Sequence, residues 1–125
     1  MRIPKKLKAA GFDYDVKLQD ELVLYGQEVG GQVSFRDGEI ILSRKGKPHC
    51  MEAALVHEIV HTINDSIEAV RMFFKSPEDE EDFTHCFGRA LYGFLKDNVK
   101  EIEWKGRVFT DVEVNRPAKT ETRVS

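Results

Sequence analysis

From about His49 onward the apolar residues of this chain fall into a helical period, and that period constrains the fold more than any other feature. Leu55, Ile59, Ile63 and Ile67 recur every four residues, which predicts a helix starting just after Pro48. Val56 and Val60 widen the stripe, and Ala53 and Ala54 are small. A helix apolar over so much of its circumference is buried on more than one side, so other layers must flank it. Asn64-Asp65-Ser66 can kink or end the helix, and Ile67 to Phe74 can continue it.

The residues before Pro48 read as β. Phe12, Tyr14, Val16 and Leu18 alternate with Asp13, Asp15 and Lys17, the period of a half-buried strand. A turn-rich patch with Gly26, Gly30 and Gly31 precedes a second short strand, Gln32 to Arg36. Asp37-Gly38 is a two-residue hairpin signal, with Glu39 to Ser43 as the returning strand. Beyond the first helix, Ser76 is a natural N-cap, Pro77 suits the first helical position, and Glu78, Asp79 and Glu80 complement the helix dipole. This second helix carries Phe83, Phe87, Leu91, Phe94 and Leu95 on one face and ends near Asn98. A hairpin around Lys105-Gly106 is expected next, with Trp104 packing on it. The expected architecture is α+β, a small and mostly antiparallel sheet packed on two helices. One domain is expected over residues 1–114, followed by a polar tail over 115–125.

Net charge is −3, so no basic surplus points to nucleic acid or an anionic membrane. The basic start, Arg2, Lys5, Lys6 and Lys8, resembles the first part of a signal peptide. Gly11, Asp13, Asp15 and Lys17 break the stretch that would have to be apolar. No apolar run approaches the roughly 20 residues of a membrane span. A soluble cytoplasmic protein is the expectation, with Cys50 and Cys86 as free, buried thiols.

Within the first helix stands His57-Glu58-Ile59-Val60-His61. Positions i and i+4 share a helix face, so both imidazoles can reach one ion. Zinc suits two neutral nitrogens and a third protein ligand, with water completing an open tetrahedral site. Glu58 can turn toward that water as a base. At about 100° per residue the histidines lie roughly 160° to 200° from Ile59, off the main apolar stripe and able to line a cleft.

The third ligand is sought on the second helix, where Glu81, His85, Gly88 and Tyr92 form one stripe beside the Phe83, Phe87 and Leu91 face. That stripe can look toward the first helix while the phenylalanines pack beneath it, and Gly88 permits close approach. Glu81 is the chosen ligand. Glu80 competes because it projects nearer the apolar stripe, and His85 can ligate directly. Asp65, one turn after His61, can orient that histidine or simply end the helix. Tyr92 or Tyr25 can donate to a developing oxyanion. His49 reads as a cap-region residue.

The run His57-Glu58-Ile59-Val60-His61-Thr62-Ile63-Asn64-Asp65 resembles the thermolysin-like gluzincin pattern HExxHxxxD. In that family the third ligand is a glutamate on a following helix, and an acid four residues later supports the first histidine. Glu81 lies 20 residues after His61, a similar separation, but the position four beyond it is His85 rather than an acid. In size the chain is similar to small phage- and prophage-type metallopeptidases related to the ImmA/IrrE group. The likeness lies in Arg2-Ile3-Pro4-Lys5-Lys6-Leu7-Lys8 and in Glu81-Asp82-Phe83 through Leu91-Tyr92. It covers roughly two-thirds of the chain, with only the HExxH segment specific. The resemblance implies a minimal zincin-like fold, bound zinc and peptidase activity on a peptide or protein substrate.

The expected mechanism has zinc on His57, His61 and Glu81, with Glu58 moving the proton of the attacking water to the leaving amine. His85 and Tyr92 are further catalytic candidates. The strand Glu39 to Ser43 can offer an edge to an extended peptide. A non-catalytic, zinc-stabilised interaction module is the alternative, closed by His85 as fourth ligand.

Overall fold

The computed structural model describes residues 2–104. The Lys105-Gly106 hairpin and the boundary at 114 and 115 therefore lie outside the described residues. Among the described residues six strands precede three helices: β1 (Lys6–Ala9), β2 (Phe12–Gln19), β3 (Val23–Leu24), β4 (Gln27–Glu28), β5 (Gly31–Ser34), β6 (Glu39–Ser43), α1 (Pro48–Ser66), α2 (Glu68–Arg71) and α3 (Pro77–Asn98). The fold is α+β.

Four strands form one sheet in the order β1-β2-β6-β5. β1 and β2 pair antiparallel, as do β5 and β6, while β2 and β6 run parallel with Val16 opposite Ile40 and Leu18 opposite Leu42. Tyr14, Val16 and Leu18 point inward, as the alternation predicts, and meet Ile40, Leu42, Met51 and Leu55 in the core. The second half of the basic start is a strand: Leu7 faces inward, while Lys8 pairs with Asp13 and Lys6 with Asp15 on the solvated face. β6 is not an edge. Its Ile40 and Leu42 are fully buried, so β6 takes a central place and leaves β5 outermost. The β5–β6 loop holds four residues rather than two, because Ser34 pairs with Glu39. The turn-rich patch contains a small hairpin, β3–β4, whose Tyr25 and Gly26 both have positive φ, a type I′ turn.

α1 begins on Pro48 and lies between the sheet and α3. Met51 and Leu55 join the sheet core, while Val56 and Val60 are buried elsewhere on the same helix. Ile63 and Ile67 are exposed, so the four-residue stripe is buried only over its first half. Ser76 caps α3 by accepting from the Asp79 amide at 3.1 Å.

The phenylalanine face of α3 corrects the expectation. Phe83, Phe87 and Phe94 are 43, 47 and 60 % exposed. The buried residues of α3 are Thr84 and Gly88. The cause is the closeness of the helices: a Cβ at Gly88 would stand 3.5 Å from the Cα of His57, so this interface admits small side chains. The phenylalanines instead pack on one another outside, Phe83 stacked on Phe87 and tilted against Phe74, each pair at 5.4 Å. Cys50 and Cys86 are free but exposed rather than buried, Cys50 in the first turn of α1 and Cys86 beside the outward face of α3. Trp104 packs on the sheet core and donates to the Arg2 carbonyl at 2.9 Å. Among the described residues no helix is long and apolar enough to cross a membrane.

Candidate metal centre

α1 and α3 run antiparallel, with Glu52 opposite Tyr92, His57 opposite Gly88 and His61 opposite Glu80 and Glu81. The helical repeat stacks His57 and His61 with their ring centroids 4.8 Å apart. Both Nε2 atoms turn to one carboxylate: His57 lies 3.2 Å from Glu81 Oε2, and His61 lies 2.9 Å from Glu81 Oε1. One ligand atom from each of the three residues fits within a 4.8 Å group. A tetrahedral ion with bonds of about 2.1 Å needs ligand atoms roughly 3.4 Å apart, so these three side chains can hold a metal ion with little rearrangement. His85 stands outside the group, its ring 6.5 Å from that of His57 and open to the same cleft.

Glu80 has a different task. Its Oε2 lies 2.8 Å from His61 Nδ1 and accepts from Asn64 Nδ2 and Thr84 Oγ1, each also at 2.8 Å. Asn64 also donates to Thr84 at 3.1 Å. Asn64 and Thr84 are buried, so this polar group is satisfied from within. A Glu80 carboxylate on Nδ1 fixes the tautomer that leaves the His61 Nε2 lone pair free. The side chain of Glu81 is 55 % exposed and that of Glu80 24 %, which matches one facing the cleft and the other lying beneath it. Asp65 does not reach His61; its backbone carbonyl accepts from Arg71 instead. The supporting network of Glu80, Asn64 and Thr84 escaped sequence reasoning, although the spacings 61 to 64 and 80 to 84 place these residues on suitable faces.

The electrostatics separate the carboxyls. Burial pushes the Glu58 carboxyl up to about 7, with Glu81 and Glu80 adding to the rise and His61 opposing it. Burial alone would raise Glu80 as well, but hydrogen bonds from Asn64, His61 and Thr84 outweigh it and hold that carboxyl below its ordinary value. Burial and the neighbouring His61 lower His57, favouring the neutral imidazole that a metal requires.

Glu58 is 5 % exposed and lies against the outer strand. A Cβ at Gly31 would come within 3.1 Å of Glu58 Cγ and Oε2 and 3.2 Å of Leu42 Cδ2, so only glycine lets β5 lie this close. Gly30 and the first residues of β5, together with α1 and α3, line one cleft over the three-residue group. Tyr92 lines it too, but its hydroxyl donates to Glu52 at 2.8 Å. Burial and that carboxylate raise its pKa. It also stands 11 residues beyond Glu81, about 16 Å along the helix, and Tyr25 stands fully exposed at a hairpin tip. His49 lies in the first turn of α1.

A buried carboxyl of raised pKa beside a His–His–Glu group, under an open cleft with the outermost strand of the described residues at its wall, is chemically suited to adding water to a polarised carbonyl. No protein-family model, curated protein or solved structure matches the chain.

Proposed function

We propose that this protein is a zinc-dependent hydrolase of peptide bonds. The observation that carries the reading is the convergence of His57 Nε2 and His61 Nε2 on Glu81, with Glu58 buried alongside. Zinc held by His57, His61 and Glu81 would supply a Lewis acid for the carbonyl and lower the pKa of water. Glu58 takes a proton from the attacking water and delivers it to the leaving amine, and its raised pKa suits both transfers near neutrality. In this reading His85, whose ring lies 6.5 Å from that of His57, donates to charge developing on the carbonyl oxygen. The outer edge of β5 offers backbone groups to an extended peptide, the task first expected of Glu39 to Ser43.

The non-catalytic alternative needs His85 as a fourth ligand. His85 lies outside the three-residue group, which favours an open site.

Purified protein should hold about one zinc per chain, measured by metal analysis, and His57→Ala with His61→Ala should abolish it. Zinc that survives the double substitution would place the site elsewhere. Cleavage in a diverse peptide library should be chelator-sensitive and fall at least roughly 100-fold in Glu58→Gln, with zinc content kept. Undiminished cleavage by that variant would remove Glu58 as the base.

A further inference from the structure

We infer that the cleft recognises a carboxylate on the C-terminal side of the bound peptide, and that Arg89 holds it. The inference rests on the metallopeptidase reading and names its substrate class. Arg89 and Lys96 line the cleft on the side of α3 that carries Glu81, His85 and Tyr92. Both are exposed, and among the described residues neither has a carboxylate partner. Lys96 lies over the Tyr92 ring at 5.9 Å, while Tyr92 is held by Glu52. Glu52, the acid of α1 that faces Tyr92, accepts a hydrogen bond from that phenol.

The direction of the peptide follows from the strand. Gly30 lies beside Ala54, and Gly31 beside Glu58, so β5 advances in the same sense as α1. A peptide added antiparallel to β5, the stronger pairing, runs the other way and leaves toward Gly30. The Gly30 end of β5 and the Gly88 to Tyr92 stretch of α3 flank the same part of α1, from Glu52 to His57. The C-terminal half of the peptide thus passes Arg89. Arg89 is eight residues beyond Glu81, about 12 Å along the helix. At about 3.4 Å per residue, and with the reach of an arginine, the carboxylate belongs roughly two to three residues past the scissile bond. A planar guanidinium suits bidentate pairing with it. The opposite end of the cleft also has cations, Arg71 and Lys75. Arg71 is bound to the Asp65 carbonyl, and Lys75 precedes the acidic opening of α3 at Glu78 and Asp79.

Two sources share this chemistry, a chain-terminal carboxylate and an acidic side chain. Three hydroxamate-headed tri-alanine chains separate them: one ending in a free carboxylate, one ending in an amide, and one amide-ended with glutamate in third place. Their affinities for the zinc-loaded protein are read by calorimetry, with the zinc-free protein as control. At least one anionic chain should bind about tenfold tighter than the neutral chain, and which one identifies the source. In Arg89→Gln the three should bind alike. Equal affinities in the wild type, or a preference that survives Arg89→Gln, would overturn the assignment while leaving the metal site standing. No zinc-dependent binding of any chain would overturn the metal-centred reading and this inference together.

Discussion

Burial raises both Glu58 and Glu80, yet the protonated form is favoured at Glu58 and the ionised form at Glu80, because only Glu80 is supplied with hydrogen-bond donors. The difference can be measured. In protein stripped of metal, folding carries Glu58 from an ordinary 4.5 to about 7. A carboxyl raised on folding leaves stability intact below pH 4.5 and costs stability as pH climbs through about 7. The loss above that range is on the order of 3 kcal/mol. Glu58→Gln should therefore raise the melting temperature of stripped protein at pH 8 and hardly change it at pH 4.5. A lower midpoint at pH 8 would contradict the buried-carboxylate account. For the adjacent pair, Glu81→Gln should remove tight zinc binding, while Glu80→Gln should weaken it about tenfold through loss of orientation at His61. Competition with a chromogenic chelator distinguishes the two, and equal losses would erase the difference in role.

Elements were legible where local chemistry fixes them. Pro48 and the Ser76-Pro77 cap set the starts of α1 and α3 without help from the rest of the chain. β1 was not legible, because Lys6-Leu7-Lys8-Ala9 is short and its lysines find acids only once β2 lies beside it. The stripe through Gly88 does face α1, but the burial expected of the phenylalanine face fails for a related reason. Side-chain hydrophobicity favours Phe83 and Phe87, but the approach to His57 and the demands of Glu80 select Gly88 and Thr84. His57, Glu58, His61 and Glu81 were all named from spacing alone, whereas Glu80's part needs the two helices side by side. One further element-scale test concerns β5. Gly31→Val should leave zinc content unchanged and lower kcat about tenfold, since the added atoms press on Glu58 or drive β5 outward. An unchanged kcat would show that the base tolerates a displaced strand.

At the scale of the whole molecule the layers are sheet, α1 and α3, and they are not held equally. α1 shares the apolar core with the sheet through Met51 and Leu55. α3 meets α1 through Thr84, Gly88 and a group of polar side chains, with its aromatic stripe turned to solvent. α3 adds no fully buried apolar residue larger than glycine to the core, so it is the part expected to open first. An ion bridging His57 and His61 to Glu81 would oppose that opening. In hydrogen–deuterium exchange, the amides of α3 should exchange ahead of those of β2, β6 and α1 when zinc is absent, and zinc should slow α3 selectively. Uniform slowing would mean that the layers open as one. On this account the seam between α1 and α3 and the candidate metal site are the same place, so zinc supply would set the lifetime of the last layer of the fold.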